Sequence, residues 1–196
     1  MAKRVYFCFH YQDVIDFRVD VVRNHWMTEK DRGDAGFFDA SIWEEARKKG
    51  KAAIKQLINS ELENTSSTCA LIGKYTYARP WVRYEILRSI KRGNSVFAVH
   101  INGIKGKDQK TRTKGNNPFD YLGIRYSDDG KSVKMYELKN GEWIEYLEIG
   151  GSSSYSYILD ETLQSNKGKF YQLSKFCPTY DWLGDDGCNN FAKWVK

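Results

Sequence analysis

The sequence has no apolar run near the roughly 18 residues a membrane span requires, and few histidines, prolines or cysteines. Its first apolar stretch, "VYFCF" at 5–9, stops at His10. That is shorter than the 7–15 or so residues of a signal-peptide core, so a cytoplasmic protein without membrane contact is expected. The cysteines Cys8, Cys69, Cys177 and Cys188 form no C-x-x-C pair, and His10, His25 and His100 stand at no ligand-like spacing from them. A metal site is therefore not expected. Cys8 and Cys69 lie inside apolar runs and read as small core residues. After the first apolar run Asp13 stands alone, which leaves out the acidic cluster of a phosphate-accepting magnesium site.

What is present is core material and positive charge. At 41% hydrophobic and 15% aromatic, the 196 residues suffice for a packed core. The net charge of +6 is concentrated in the first half, with +5 over residues 1–100 and +1 over 101–196. An acidic small molecule or a nucleic acid would exploit that bias; a surplus this modest is more often ordinary solubility, and nucleic-acid binding is not expected.

Short apolar runs at 5–9, 36–40 ("GFFDA"), 68–72 ("TCALI") and 95–101 ("SVFAVHI") read as strands. Between them, helical periodicity places Val14, Phe17, Val21 and Val22 on one side of residues 13–25. It places Ile54, Leu57, Ile58 and Leu62 together in 42–62, and Val82, Ile86 and Ile90 in 80–92. Alternating strands and helices predict a mostly parallel central sheet between two helix layers. Residues 103–115 carry Lys105, Lys107, Lys110, Arg112 and Lys114 against Asp108, and read as an exposed, mobile loop rather than a phosphate site. Residues 132–148 read as a β-hairpin turning at Asn140-Gly141, 150–156 as a connection, and the end as a short helix docked through Phe191, Trp194 and Val195. An α/β core at 1–125, with an elaboration at 126–196 packed on it as one domain, is the expected organisation.

Ligands of open parallel sheets bind beyond the carboxyl ends of the strands. That rule selects Phe9, His10 and Tyr11 after the first strand, Asp39 to Trp43 after the second, and "GKYTYARPWVRYEI" after the third. Ser41-x-x-Glu44 fits a capping box, so a structural duty for Ser41 is favoured over ligand contact. Trp43 reads equally as a core anchor or a stacking plate. Pro80 suits the first position of a helix, which sets Trp81 and Glu85 together on the flank of the Val82–Ile86–Ile90 stripe. Spacing alone leaves Glu85 balanced between a partly desolvated functional carboxylate and a surface ion pair with Arg88.

Residues 81–86, "WVRYEI", resemble the W-x-x-x-E-[LI] motif of Toll/interleukin-1 receptor (TIR) domains, whose glutamate is catalytic in members that cleave NAD. With "KRVYFCFHYQD" at the start and "FDASIWEEA" at 38–46, most of the chain resembles the TIR-like ThsB family of the bacterial Thoeris anti-phage system, including "YDWLGDDG" near the end. The resemblance implies a flavodoxin-like, TIR-like three-layer sandwich with a C-terminal hairpin and helix elaboration. It implies NAD+ as substrate with no cofactor, cleavage of the nicotinamide–ribose bond, and a cyclic ADP-ribose-type nucleotide. Its partner would be an effector NADase reached through that diffusible product, after an unknown phage trigger, with a homo-oligomer possible. Glu85 inherits the catalytic role, and Phe9, His10, Tyr11, Asp39, Ser41, Trp43 and Trp81 the substrate contacts. Val82 stands where TIR domains usually have cysteine. The rival expectations are a non-catalytic TIR-like adaptor and a nucleoside deoxyribosyltransferase-like enzyme that uses a glutamate on a related sheet.

Overall fold

A computed structural model describes residues 4–28, 40–149 and 160–196. The chain runs β1 (Val5–Phe9), α1 (Tyr11–Ile15), α2 (Arg18–Thr28), α3 (Ala40–Lys49), α4 (Lys51–Leu62), β2 (Ser67–Ile72), α5 (Pro80–Arg92) and β3 (Ser95–His100). It continues through β4 (Leu122–Tyr126), β5 (Val133–Lys139), β6 (Glu142–Glu145), α6 (Asp160–Ser165), β7 (Phe170–Gln172), β8 (Thr179–Asp181) and α7 (Gly187–Trp194). Strands β1, β2, β3 and β8 form a parallel sheet in that order.

The two-residue period of the strands splits their side chains between two cores. Tyr6, Cys8, Ala70, Ile72 and Ala98 face Ile54, Ile58, Val82 and Ile86 of α4 and α5. Val5, Phe7, Cys69, Leu71, Phe97 and Val99 face Val19, Val22 and Trp26 of α2 and Phe191 of α7. Helices thus cover both faces, which is the expected flavodoxin-like arrangement. No helix among the described residues is long and apolar enough to cross a membrane. Phe191 is buried against Phe7 and Trp26, Val195 is buried beside it, and Trp194 stacks on Tyr180 at 4.1 Å, so the C-terminal helix docks as expected.

Several elements differ from the periodicity. Residues 13–25 are not one helix: Phe17 adopts φ +62 and separates α1 from α2. The register restarts there, so Val19, Val22 and Trp26 fill the core while Phe17 and Val21 are exposed. Gly50 likewise divides 42–62 into α3 and α4. The strand expected at 36–40 falls on residues 36–39, outside the described residues, and on Ala40, which opens α3. The hairpin is present, with Asn140 at φ +52 and Gly141 at φ +85, a pair of positive values that turns two strands tightly. It belongs to a second, antiparallel sheet ordered β6-β5-β4-β7. Strands β4, β7 and β8 have no counterpart in the sequence reading, because runs of three to five residues carry too little periodicity.

The basic loop is also not free. Arg18, fully buried, donates from Nε to the Ile104 carbonyl (3.0 Å) and from Nη2 to the Lys110 carbonyl (2.9 Å), and pairs with Asp16. Arg112 reaches Asp16 and Asp108. The loop ends at Gly115, where an added Cβ would lie 2.1 Å from the Gly73 carbonyl oxygen and 2.8 Å from that of Lys74. Both obstacles are backbone, so Gly115→Ala must separate this loop from the one that follows β2. A loss of about 1–3 kcal/mol is expected in urea unfolding. A midpoint equal to wild type would show that the two loops are not tightly apposed.

Candidate active site

Helix α5 begins where Arg79, in extended conformation, precedes Pro80 at the first helical position. Its backbone is fixed to the sheet by a chain of hydroxyls: Thr68 Oγ1 of β2 donates to Ser89 Oγ (2.9 Å), which donates to the Glu85 carbonyl (2.7 Å). On the outer side Arg83 ties α5 to β5, through Glu137 (2.9 Å) and the Leu138 carbonyl (3.2 Å). Because the second sheet covers this side, Tyr84 and Leu87 are buried as well as Val82, Ile86 and Ile90. Glu85 is only 5% exposed, on the side of α5 that faces Tyr6 of β1, deeper than a position on the flank of the stripe would be.

The ion pair with Arg88, one of the two readings that spacing left open, is not formed. Arg88 Nε instead donates to Asn59 Oδ1 of α4 at 2.7 Å. Glu85 Oε1 accepts a 2.7 Å hydrogen bond from the fully buried Tyr6 hydroxyl of β1. Burial raises the Glu85 carboxyl to about 8, against a partial lowering by the Tyr6 bond. Burial foremost, and then the neighbouring Glu85, pushes the Tyr6 hydroxyl well above its ordinary range, so it stays protonated.

Glu85 lines a cavity of about 380 Å³ at the carboxyl edge of the parallel sheet. Phe9 ends β1, His10 precedes α1 and Tyr11 opens it; all three line the cavity. Trp43 of α3 meets Trp81 edge to face, centroids 6.2 Å apart, and Trp81 meets Tyr84 in the same way at 5.9 Å. His10 is lowered to about 4 by burial and by Arg79, so it is neutral at physiological pH. The structure thus brings Glu85, Phe9, His10, Tyr11, Trp43 and Trp81 to one hollow. Asp39 and the side chain of Ser41 lie outside the described residues.

Three polar lining or supporting groups escaped the sequence reading. Arg47 of α3 and Arg79 stand exposed on the cavity wall, and Tyr6 supports Glu85 from beneath. Arg79 was legible as the residue ahead of the Pro80 helix start. Arg47 and Tyr6 carried no signal, since a surface arginine and a core tyrosine are ordinary at such positions.

The hollow combines aromatic walls, one buried carboxyl and two guanidiniums, a set that suits a cationic ring joined to an anionic tail. A family model described as "Thoeris protein ThsB, TIR-like domain" matches residues 6–106, a span that runs from Tyr6 of β1 past the end of β3 and contains the cavity residues named above. A relative from Bacillus cereus (strain MSX-D12), named "Putative cyclic ADP-D-ribose synthase ThsB1", is 53% identical over 196 residues and covers 100% of both chains. The chain belongs to the ThsB family of Thoeris TIR-like proteins.

Proposed function

We propose that this chain cleaves the nicotinamide–ribose bond of NAD+ and closes the ADP-ribose product on itself, making a cyclic ADP-ribose-type signal in anti-phage defence. The observation that carries the reading is the Glu85 carboxyl, buried yet lining an aromatic hollow, at the strand edge where α/β ligands sit. The name of the Bacillus cereus relative supports the same reaction.

The chemistry follows from the residues. The C1′–N bond breaks with its electron pair going to the pyridinium nitrogen, so nicotinamide leaves neutral and the ribose becomes an oxocarbenium-like cation. Glu85 would accept hydrogen bonds from the ribose hydroxyls and stabilise that cation. The positively charged nicotinamide itself favours the ionised carboxylate that burial disfavours. Phe9, Tyr11, Trp43 and Trp81 would hold the ring and keep water out, so that a nucleophile within the same molecule attacks first. Arg47 and Arg79 would meet the diphosphate. The effector would be reached through the diffusible product, and Asp39 and Ser41 stay candidates for substrate contact.

The test compares lysates of phage-infected cells expressing wild type or Glu85→Gln, with the purified protein incubated with NAD+ alongside. Free nicotinamide and a nucleotide of the mass of cyclic ADP-ribose are expected from wild type alone. Equal amounts from both would remove Glu85 from the reaction, and none from wild type in infected cells would leave a protein-contact module in its place. A narrower expectation concerns the tail: Arg79→Met raises KM for NAD+ by about tenfold with kcat nearly kept. An unchanged KM would remove Arg79 from diphosphate binding.

A further inference from the structure

We propose that Tyr6 is a positioning residue for Glu85, holding one carboxyl oxygen and thereby orienting the other toward the substrate. This rests on the proposed reaction and adds to it a residue on a different strand, 79 positions away in the sequence.

Tyr6 is the second residue of β1, paired with Thr68 of β2, where the neighbouring side chains on its core face are apolar or small. Phenylalanine would fill the same volume. A hydroxyl in this core is costly to bury unless it is hydrogen-bonded, and its bond goes to the carboxyl that lines the cavity. The Thr68–Ser89 pair fixes the backbone of α5 at Glu85, but leaves the side-chain torsions of a glutamate free. The 2.7 Å bond to Oε1 supplies the missing constraint. It leaves Oε2 for the ribose.

The same bond acts on the charge of the carboxyl. A donor to the ionised form offsets part of the desolvation that keeps Glu85 neutral. The other titratable or charged groups around the pair are Cys8 on β1, Cys69 on β2 and Glu61 on α4, with His10, Arg47 and Arg79 on the cavity wall. The thiols of Cys8 and Cys69 are pushed well up by burial and stay neutral, and His10 is neutral above about pH 4. Within the set, Tyr6 is the group whose hydrogen bond favours the Glu85 carboxylate.

The experiment uses the full chain with glutamate labelled at the carboxyl carbon, and assigns the Glu85 signal by its loss in Glu85→Gln. Tyr6→Phe is expected to move the Glu85 midpoint upward by about one pH unit. The acidic limb of kcat/KM is expected to move with it, a roughly tenfold loss at neutral pH that recovers as pH rises, with KM changed far less than kcat. A merely structural role would lower activity equally at every pH. Should Tyr6→Phe fail to fold, the wild-type protein still decides: its Tyr6 Cζ shift must follow the Glu85 midpoint. An unmoved midpoint in Tyr6→Phe, a Cζ shift that ignores Glu85, or a moved midpoint without a change in kcat each overturns the proposal. Absence of nicotinamide release from wild type is a different failure, that of the proposed reaction, and the two carboxyl titrations separate it from a failure of the Tyr6–Glu85 link.

Discussion

Glu85→Gln is expected to reduce nicotinamide release by about 10³-fold or more, and at the same time to make the protein more stable at alkaline pH. The first effect follows from charge. Glutamine keeps the shape and can still accept the Tyr6 hydrogen bond, but offers no negative charge to an oxocarbenium-like ribose. The second effect follows from linkage. The folded-state carboxyl is raised to about 8 from an ordinary 4.5, so the native state binds more protons than the unfolded state between those values. The contribution is whole below about pH 4.5 and is lost as pH rises through about 8. A shift of this size corresponds to a loss on the order of 3–5 kcal/mol once the carboxyl is ionised. Denaturant unfolding of both proteins at pH 6 and pH 9 checks it. The variant should gain on wild type at the higher pH, and parallel stabilities at both would mean that Glu85 is not held in a desolvated site. Inactivity together with gained stability is the signature of a functional carboxyl maintained against the interests of the fold.

Arg18→Met should cost about 3–5 kcal/mol, the largest stability loss expected from a single substitution here. The side chain is fully buried, and its loss strands the Ile104 and Lys110 carbonyls and leaves Arg112 as the remaining partner of the Asp16 carboxylate. Methionine replaces much of the aliphatic stem, so the difference reports on the polar contacts and little on the volume. Gly106, where an added Cβ would come within 2.4 Å of the guanidinium, shows how closely the loop wraps around it. The midpoint of urea unfolding should fall with an unchanged slope. A loss under about 1 kcal/mol would mean that the loop is held by other contacts. Lysine is not expected to rescue, since one ammonium cannot reproduce the planar fork that reaches two carbonyls and a carboxylate.

How much of this was legible beforehand depended on the range of the interactions. The α5 boundaries, Pro80 to Arg92, follow from local chemistry: a proline that begins a helix and a stripe repeating every three to four residues. Buried strands such as Ser67–Ile72 announce themselves by composition, because both faces must be apolar. The breaks at Phe17 and Gly50 were hidden, since apolar periodicity continues across them. The basic loop read as mobile because its sequence shows its charges and not the buried Arg18 that binds its carbonyls. Glu85 was half legible: the motif singled it out, yet the choice between Arg88 and a cavity needed the position of Asn59, 29 residues away.

The sequence by itself determined the alternation of strands and helices, the edge at which a ligand would bind, and the carboxyl most worth watching there. The first two rest on periodicity and on the shared direction of parallel strands, which neighbouring residues encode; the carboxyl was singled out by the resemblance of residues 81–86 to the TIR motif. Tertiary structure decided the rest: that Tyr6 holds Glu85, that Arg47 and Arg79 join the cavity, and that the second sheet seals the outer side of α5. Those facts depend on contacts between residues tens of positions apart, where chain geometry and packing choose the partner and no local pattern records the choice.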